Sequence, residues 1–148
     1  MTRDESTLYY ATEFKGLAKL NLRTREHQFI KFEGIEVGNL NSVAIDDENG
    51  VVYVTDSGPI PFSFSAKIVL LSLKTGKIIK YETKTEKASI LEEGIFFPNG
   101  ITYEQKTHSL IYIEFNRFRI WKYDLATNRK RLLVENLFGY GDNLKLTE

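Results

Sequence analysis

No cysteine occurs in the 148 residues, which excludes a disulfide framework and any thiolate metal centre. No run approaches the roughly 18 consecutive apolar residues of a spanning helix. Neither sign of charge is in excess, since 20 Lys and Arg stand against 20 Asp and Glu. A dedicated nucleic-acid surface carries a basic surplus, so no nucleic-acid partner is expected. The opening residues, MTRDESTLYY, have neither the basic n-region nor the apolar h-region of a secretory leader. Helical patterning is missing as well: nowhere do apolar residues keep a convincing 3.6-residue stripe. No GxSxG, P-loop, HExxH or EF-hand pattern is present.

What is present is aromatic and strand-like. Ten Phe, eight Tyr and one Trp fall in short runs such as TLYYATEF, VVYVTD, KIVLLSL, KIIKYE, SLIYIEF and RIWKYDL. Between them lie turn signals: RTRE, DDENG, KTGK, EQKTHS and ATNR. Short strands separated by frequent turns indicate an all-β sandwich, barrel or propeller.

Internal repetition separates these architectures. Three segments align, each with a tyrosine-centred strand (Tyr10, Tyr53, Tyr112) followed by a strand that closes on Leu-x-Thr (Leu22/Thr24, Leu73/Thr75, Leu125/Thr127). The Leu-x-Thr steps recur about 51 residues apart, near the length of a four-stranded propeller blade. A sandwich would not produce this regularity. In the one complete unit the spacing predicts strands over about 42–46, 51–56, 67–73 and 78–83. The expected fold is therefore an all-β propeller of four-stranded blades. About twelve strands, or three blades, are expected across 1–148. Closed propellers use about four to eight blades, so the chain reads as roughly half of a larger one. It opens at a second strand and ends just inside a first. Its terminal sheets then offer exposed edges for self-association.

The strand openings carry the chemistry. Asn41-Ser-Val-Ala-Ile, Asn99-Gly-Ile-Thr-Tyr and Asp142-Asn-Leu-Lys-Leu fall in register, each opening the innermost strand of a blade. Innermost strands line the central channel, so equivalent positions converge around the axis. Hard cations such as calcium take roughly six to eight oxygen ligands from carboxylates, amides and water. Asn41, Asn99 and Asp142, with Asn143 beside it, form the candidate metal set. The competing reading is structural, because Asn, Asp and Gly are common where chains turn into strands. His27 and His108 have no Ser or Cys partner in a motif and read as surface residues. Asp56 and Glu114, near the ends of second strands, read as structural or solvent-facing. The apolar loop SGPIPFSFSA, with Pro59, Phe62 and Phe64, is either packed on its neighbours or a substrate-facing wall at the channel mouth.

Five segments in order carry a family resemblance over about Leu8 to Leu146. They are LNSVAIDDENGVVYVTDS, SLKTGKIIKY, FFPNGITY, LIYIEFNRFRIWKYDL and LFGYGDNLKL. Together they resemble the strictosidine synthase-like family, related to the paraoxonase and gluconolactonase propellers, with the conserved region on about 41–124. The resemblance implies six blades. It implies calcium-ligand roles for Asn41, Asn99, Asp142 and Asn143, and hydrolysis of ester or lactone substrates. It places a further glutamate ligand upstream of Met1, and the catalytic glutamate of strictosidine synthase beyond Glu148. Condensation chemistry of that type is accordingly the weaker expectation. The paraoxonase histidine pair has no match, the nearest stretch offering Thr12 and Glu13, so no catalytic base is assigned. Tyr140-Gly141 stands where the family has proline before the aspartate. The alternatives are a non-catalytic binding propeller, or a fragment inactive alone. By resemblance, the compartment is the endomembrane lumen, the cell surface or the exterior; the residues themselves do not fix one.

Overall fold

The computed structural model describes residues 1–61, 63 and 71–147. Eleven strands are present among them, grouped into three antiparallel sheets. The first sheet contains β1 (Thr7–Thr12), β2 (Gly16–Asn21) and β3 (His27–Ile30), in that order. The second contains β4 (Leu40–Asp46), β5 (Val51–Asp56), β6 (Gly76–Glu82) and β7 (Lys87–Ile95). The third contains β8 (Pro98–Glu104), β9 (Ser109–Glu114), β10 (Arg119–Asp124) and β11 (Arg129–Val134). Both four-stranded sheets are simple meanders with neighbours in chain order, which is the connectivity of a propeller blade. Among the described residues, no helix is long and apolar enough to cross a membrane.

The two central blade strands show why the sheets stack. All six residues of β5 are buried, and their side chains alternate between faces, as a strand requires. Val51 and Tyr53 join Ala44, Ile78, Ile95, Ile101, Leu110 and Tyr112 between the second and third sheets. Val52 and Val54 join Leu17, Ile30, Phe32, Leu40, Ile79 and Tyr81 between the first and second. In β6 the adjacent Ile78 and Ile79 split in the same way. A blade covered on both faces needs apolar residues at every position, so these strands read as continuous runs rather than as alternating ones. Each such Val or Ile contributes roughly 1.5–3 kcal/mol of burial. A polar strut reinforces the seam between the second and third sheets. The Tyr112 hydroxyl donates to the Glu92 carboxylate at 3.0 and 3.1 Å, and Lys130 of β11 pairs with the same carboxylate.

The second blade departs from the expected spacing. Its third strand is Gly76–Glu82 and its fourth Lys87–Ile95, one place later than predicted. Of the strand expected over 67–73, residues 67–70 lie outside the described residues. The turn between third and fourth strands therefore falls at 83–86, and Leu73/Thr75 precede β6 instead of closing a blade strand. In the other two sheets Leu22/Thr24 and Leu125/Thr127 do stand at that turn. There Asn21 Oδ1 accepts the N–H of Arg23 and Thr24, and Asp124 Oδ1 those of Ala126 and Thr127. Among the described residues between β5 and β6, which are 57–61, 63 and 71–75, none lies in a strand.

Candidate functional site

The innermost strands β4 and β8 open on the same irregularity. In β4, Leu40 faces Asp56 and Val43 faces Val54, so Asn41 and Ser42 both stand opposite Thr55. In β8, Pro98 faces Glu114 and Ile101 faces Tyr112, so Asn99 and Gly100 both stand opposite Ile113. These are β-bulges, two residues against one. Bulges bend a strand, re-aim its side chains and collect near functional sites. Asparagine holds the first bulge position in both blades.

Asn99 is 4% exposed, and its Oδ1 is buried without a hydrogen-bond partner. Leaving a buried amide oxygen unpaired costs about 1–3 kcal/mol, so an electron-pair donor stands ready there for a ligand. Asn41 is half-buried. The backbone brings the three strand openings side by side. The Ile101 N–H donates to Ser42 Oγ at 3.3 Å, and the Gly100 N–H donates to the Asp142 carbonyl at 2.9 Å. The strand expected at Asp142 is not formed as a ladder: residues 142–147 have no regular structure, and the Asp142 and Asn143 side chains are exposed. Gly100 is required for their approach. A Cβ there would lie 2.5 Å from the Asp142 carbonyl oxygen and 2.7 Å from Leu144 N. The tail is also held by rings, Tyr140 stacking on Phe115 at 4.6 Å and meeting Phe118 at 4.7 Å.

The run-in to Asn99 is strained. Phe97 is buried with φ at +54°, a left-handed conformation that costs a bulky residue about 1–3 kcal/mol and clusters at functional sites. It is held by its ring against Phe115 at 5.3 Å, and its carbonyl accepts the Phe115 N–H at 3.1 Å.

Asp56 and Glu114 prove to be structural. Buried Asp56 accepts the N–H groups of Gly38 at 3.0 Å and Gly58 at 2.9 Å, with Lys77 Nζ at 3.5 Å. Glu114 accepts the Phe96 N–H at 3.2 Å and Trp121 Nε1–H at 2.9 Å. Each carboxylate thus pins the segment that leads into its blade's innermost strand. His27 and His108 each meet a tyrosine hydroxyl, Tyr10 at 2.9 Å and Tyr103 at 2.8 Å. Of the loop residues, Pro59 is exposed on a cleft of about 490 Å³ also lined by Phe14, Val37, Asp56 and Lys77. Phe62 and Phe64 lie outside the described residues. Glu13 forms a backbone bridge to Asn39.

Sequence reasoning overlooked Asn39 and the burial of the two hydroxyls that flank Asp56. Asn39 is fully buried, its Nδ2 donating to the Ile60 carbonyl and its Oδ1 unpartnered. The polar run Thr55-Asp56-Ser57 is buried throughout. The signal was available, since three polar residues directly follow the apolar VVYV.

Stacked four-stranded meanders with convergent first strands define a β-propeller. Solved structures agree at the level of the fold. The nidogen/laminin complex aligns with a TM-score of 0.72 at 17% identity, over 94% of this chain and 48% of that one. An oligogalacturonate lyase in complex with manganese aligns at 0.72 and 12% identity, over 91% and 39%. The strictosidine synthase family model matches residues 41–128, and the chain belongs to that family. Among curated relatives, adipocyte plasma membrane-associated protein of Gallus gallus is 27% identical over 154 residues, covering 96% of this chain and 36% of the relative. Strictosidine synthase-like 3 of Arabidopsis thaliana is 30% identical over 145 residues, covering 93% and 36%. The chain thus spans about a third of the length of these relatives.

Proposed function

We propose that the bulged asparagines help to hold a divalent cation, calcium by the chemistry of the donors, in a propeller that hydrolyses ester or lactone substrates. The observation that carries this reading is the buried, unpartnered Oδ1 of Asn99 in a bulge that recurs at Asn41. Amide oxygens are hard, neutral donors of the kind calcium accepts. In this reading Asn41 and Asn99 supply amide oxygens, Asp142 supplies charge, and Asn143 adds a fourth donor. When bound, such an ion polarises a substrate carbonyl and stabilises the oxyanion that develops on it.

The chain's own residues provide the setting. The Asp56 and Glu114 carboxylates fix the two approaches to the innermost strands, so each asparagine emerges from a pinned backbone. Gly100 lets the Asp142–Asn143 segment close against β8. Pro59, with Phe14 and Val37, offers an apolar wall that suits an aromatic or aliphatic acyl group.

The test is an arylesterase and lactonase assay of the purified protein with calcium and with chelator. Turnover should require calcium, and Asn99→Ala should lower it at least tenfold. Turnover indifferent to chelator, or Asn99→Ala equal to wild type, refutes the reading.

A further inference from the structure

Three hydroxyl side chains outside the candidate ligand set tie the two bulges together. Thr55 Oγ1 donates to the Asn99 carbonyl at 2.8 Å. The same oxygen accepts the Ser42 N–H at 3.0 Å. Ser42 Oγ accepts the Ile101 N–H at 3.3 Å, and Ile101 is two residues from Asn99. The bonds therefore close a ring that runs from Asn99 through Thr55 and Ser42 back to the β8 backbone. Beside it, Ser57 Oγ donates to the Pro98 carbonyl at 2.7 Å. Thr55 and Ser57 are both buried.

A bulge leaves backbone groups unpaired by the ladder, and a buried peptide group must find another partner. A hydroxyl donates and accepts at once, so Thr55 satisfies one group from each bulge with a single atom. The groups it satisfies are the peptide carbonyl of Asn99 and the amide of the residue after Asn41. Rotation of either peptide would swing the asparagine attached to it. The next bulge is tied differently. There Ile113 stands in the place of Thr55 and Gly100 in that of Ser42, and Gly100 bonds the Asp142 carbonyl directly. The hydroxyl tie is thus specific to the seam between Asn41 and Asn99.

We infer that Thr55, with Ser42 and Ser57, is a positioning unit. It sets the spacing and orientation of Asn41 and Asn99, so that cation affinity depends on hydroxyls that do not touch the ion. This inference rests on the calcium reading above.

The experiment compares wild type with Thr55→Val, Thr55→Ser and Ser42→Ala. Amide hydrogen exchange is measured without cation, and calcium affinity by calorimetry. Thr55→Val should speed exchange at the Ser42 amide at least tenfold and raise the calcium Kd at least tenfold. Thr55→Ser, which restores the hydroxyl, should stay within threefold of wild type in both. An unchanged Kd in Thr55→Val overturns the inference. So does an equal loss in Thr55→Ser, which would assign the effect to the methyl group. Should Thr55→Val fail to fold, Ser42→Ala decides: faster exchange at Ile101 with a weakened Kd supports the inference, and an unchanged Kd overturns it. Wild type that binds no calcium overturns the calcium reading and the positioning role with it. That failure is distinguished by the wild-type titration alone, whereas failure of the tie appears only in the variants.

Discussion

Replacing Gly100 by alanine tests whether the tail is seated on β8. The added Cβ would lie 2.5 Å from Asp142 O, 2.7 Å from Leu144 N and 2.9 Å from Asn143 C. All three are backbone atoms, so no side chain can swing aside. Gly100 has no positive φ, which leaves contact as the whole of the steric effect. Overpacking of this kind costs about 1–3 kcal/mol. Displacing the tail also breaks the bond from the Gly100 N–H to Asp142, for about 1 kcal/mol more. Against this, alanine stiffens the unfolded chain and recovers about 0.4–1 kcal/mol. The net expectation is a loss of about 1–3 kcal/mol. With a urea slope of roughly 1–3 kcal/mol/M, the midpoint should fall by about 1 M. Gly139→Ala is the control, since nothing lies within 4 Å of its Cβ position, and it should stay within about 0.5 kcal/mol of wild type. Urea denaturation checks the energies, and hydrogen exchange at residue 100 checks the bond. If Gly100→Ala matches Gly139→Ala in stability and keeps residue 100 protected, the packing of Asp142 on β8 is refuted.

Two further outcomes concern the seam between the second and third blades. Tyr112→Phe removes a hydroxyl bonded to the Glu92 carboxylate and should cost about 1–2 kcal/mol, since bonds to charged groups are the stronger ones; a double-mutant cycle with Glu92→Gln should show coupling above about 0.5 kcal/mol. Alkali should also loosen this seam. Burial pushes the Tyr103 phenol up to about 12, and it pushes the Tyr53 and Tyr112 phenols up as well, with Asp46 acting on the first and Glu92 on the second. In the unfolded chain phenols ionise near pH 10. From there to the raised folded values the unfolded state holds fewer protons, so stability must fall as pH rises. Urea midpoints at pH 8, 10 and 11 should decline in that order, less steeply in Tyr112→Phe; a flat profile contradicts the burial of these phenols.

How much was legible in the sequence follows from where water reaches the blades. The second strands were found because β5 and β9 are buried on both sides and carry unbroken apolar runs around Tyr53 and Tyr112. The outermost strand β7, KASILEEGI, went unrecognised. Only its last residue is buried, and its register slips twice against β6, so it has neither a continuous apolar run nor a clean alternation. Taking β6 for the fourth strand followed from that omission. The apolar KIVLLSL then filled the empty third place, and Leu73/Thr75 aligned with Leu22/Thr24 by coincidence of length.

The candidate site was legible for a different reason. Register alone selected Asn41, Asn99 and Asp142, because a repeated fold brings repeated positions to one axis. Register could not show that two of these positions are bulges, because a bulge is a relation between strands and leaves no pattern within either one. It is the bulge that makes the asparagines unusual. The two-against-one step leaves the Asn99 carbonyl and the Ser42 amide to the Thr55 hydroxyl of β5. It also leaves the Asn99 side-chain oxygen buried with no protein partner. The fold meets the backbone's needs with dedicated hydroxyls, yet leaves this oxygen, like that of buried Asn39, without a protein partner. That is the property expected of a ligand position, and a strand-opening asparagine kept only for its turn chemistry would have spent its oxygen on the backbone nearby.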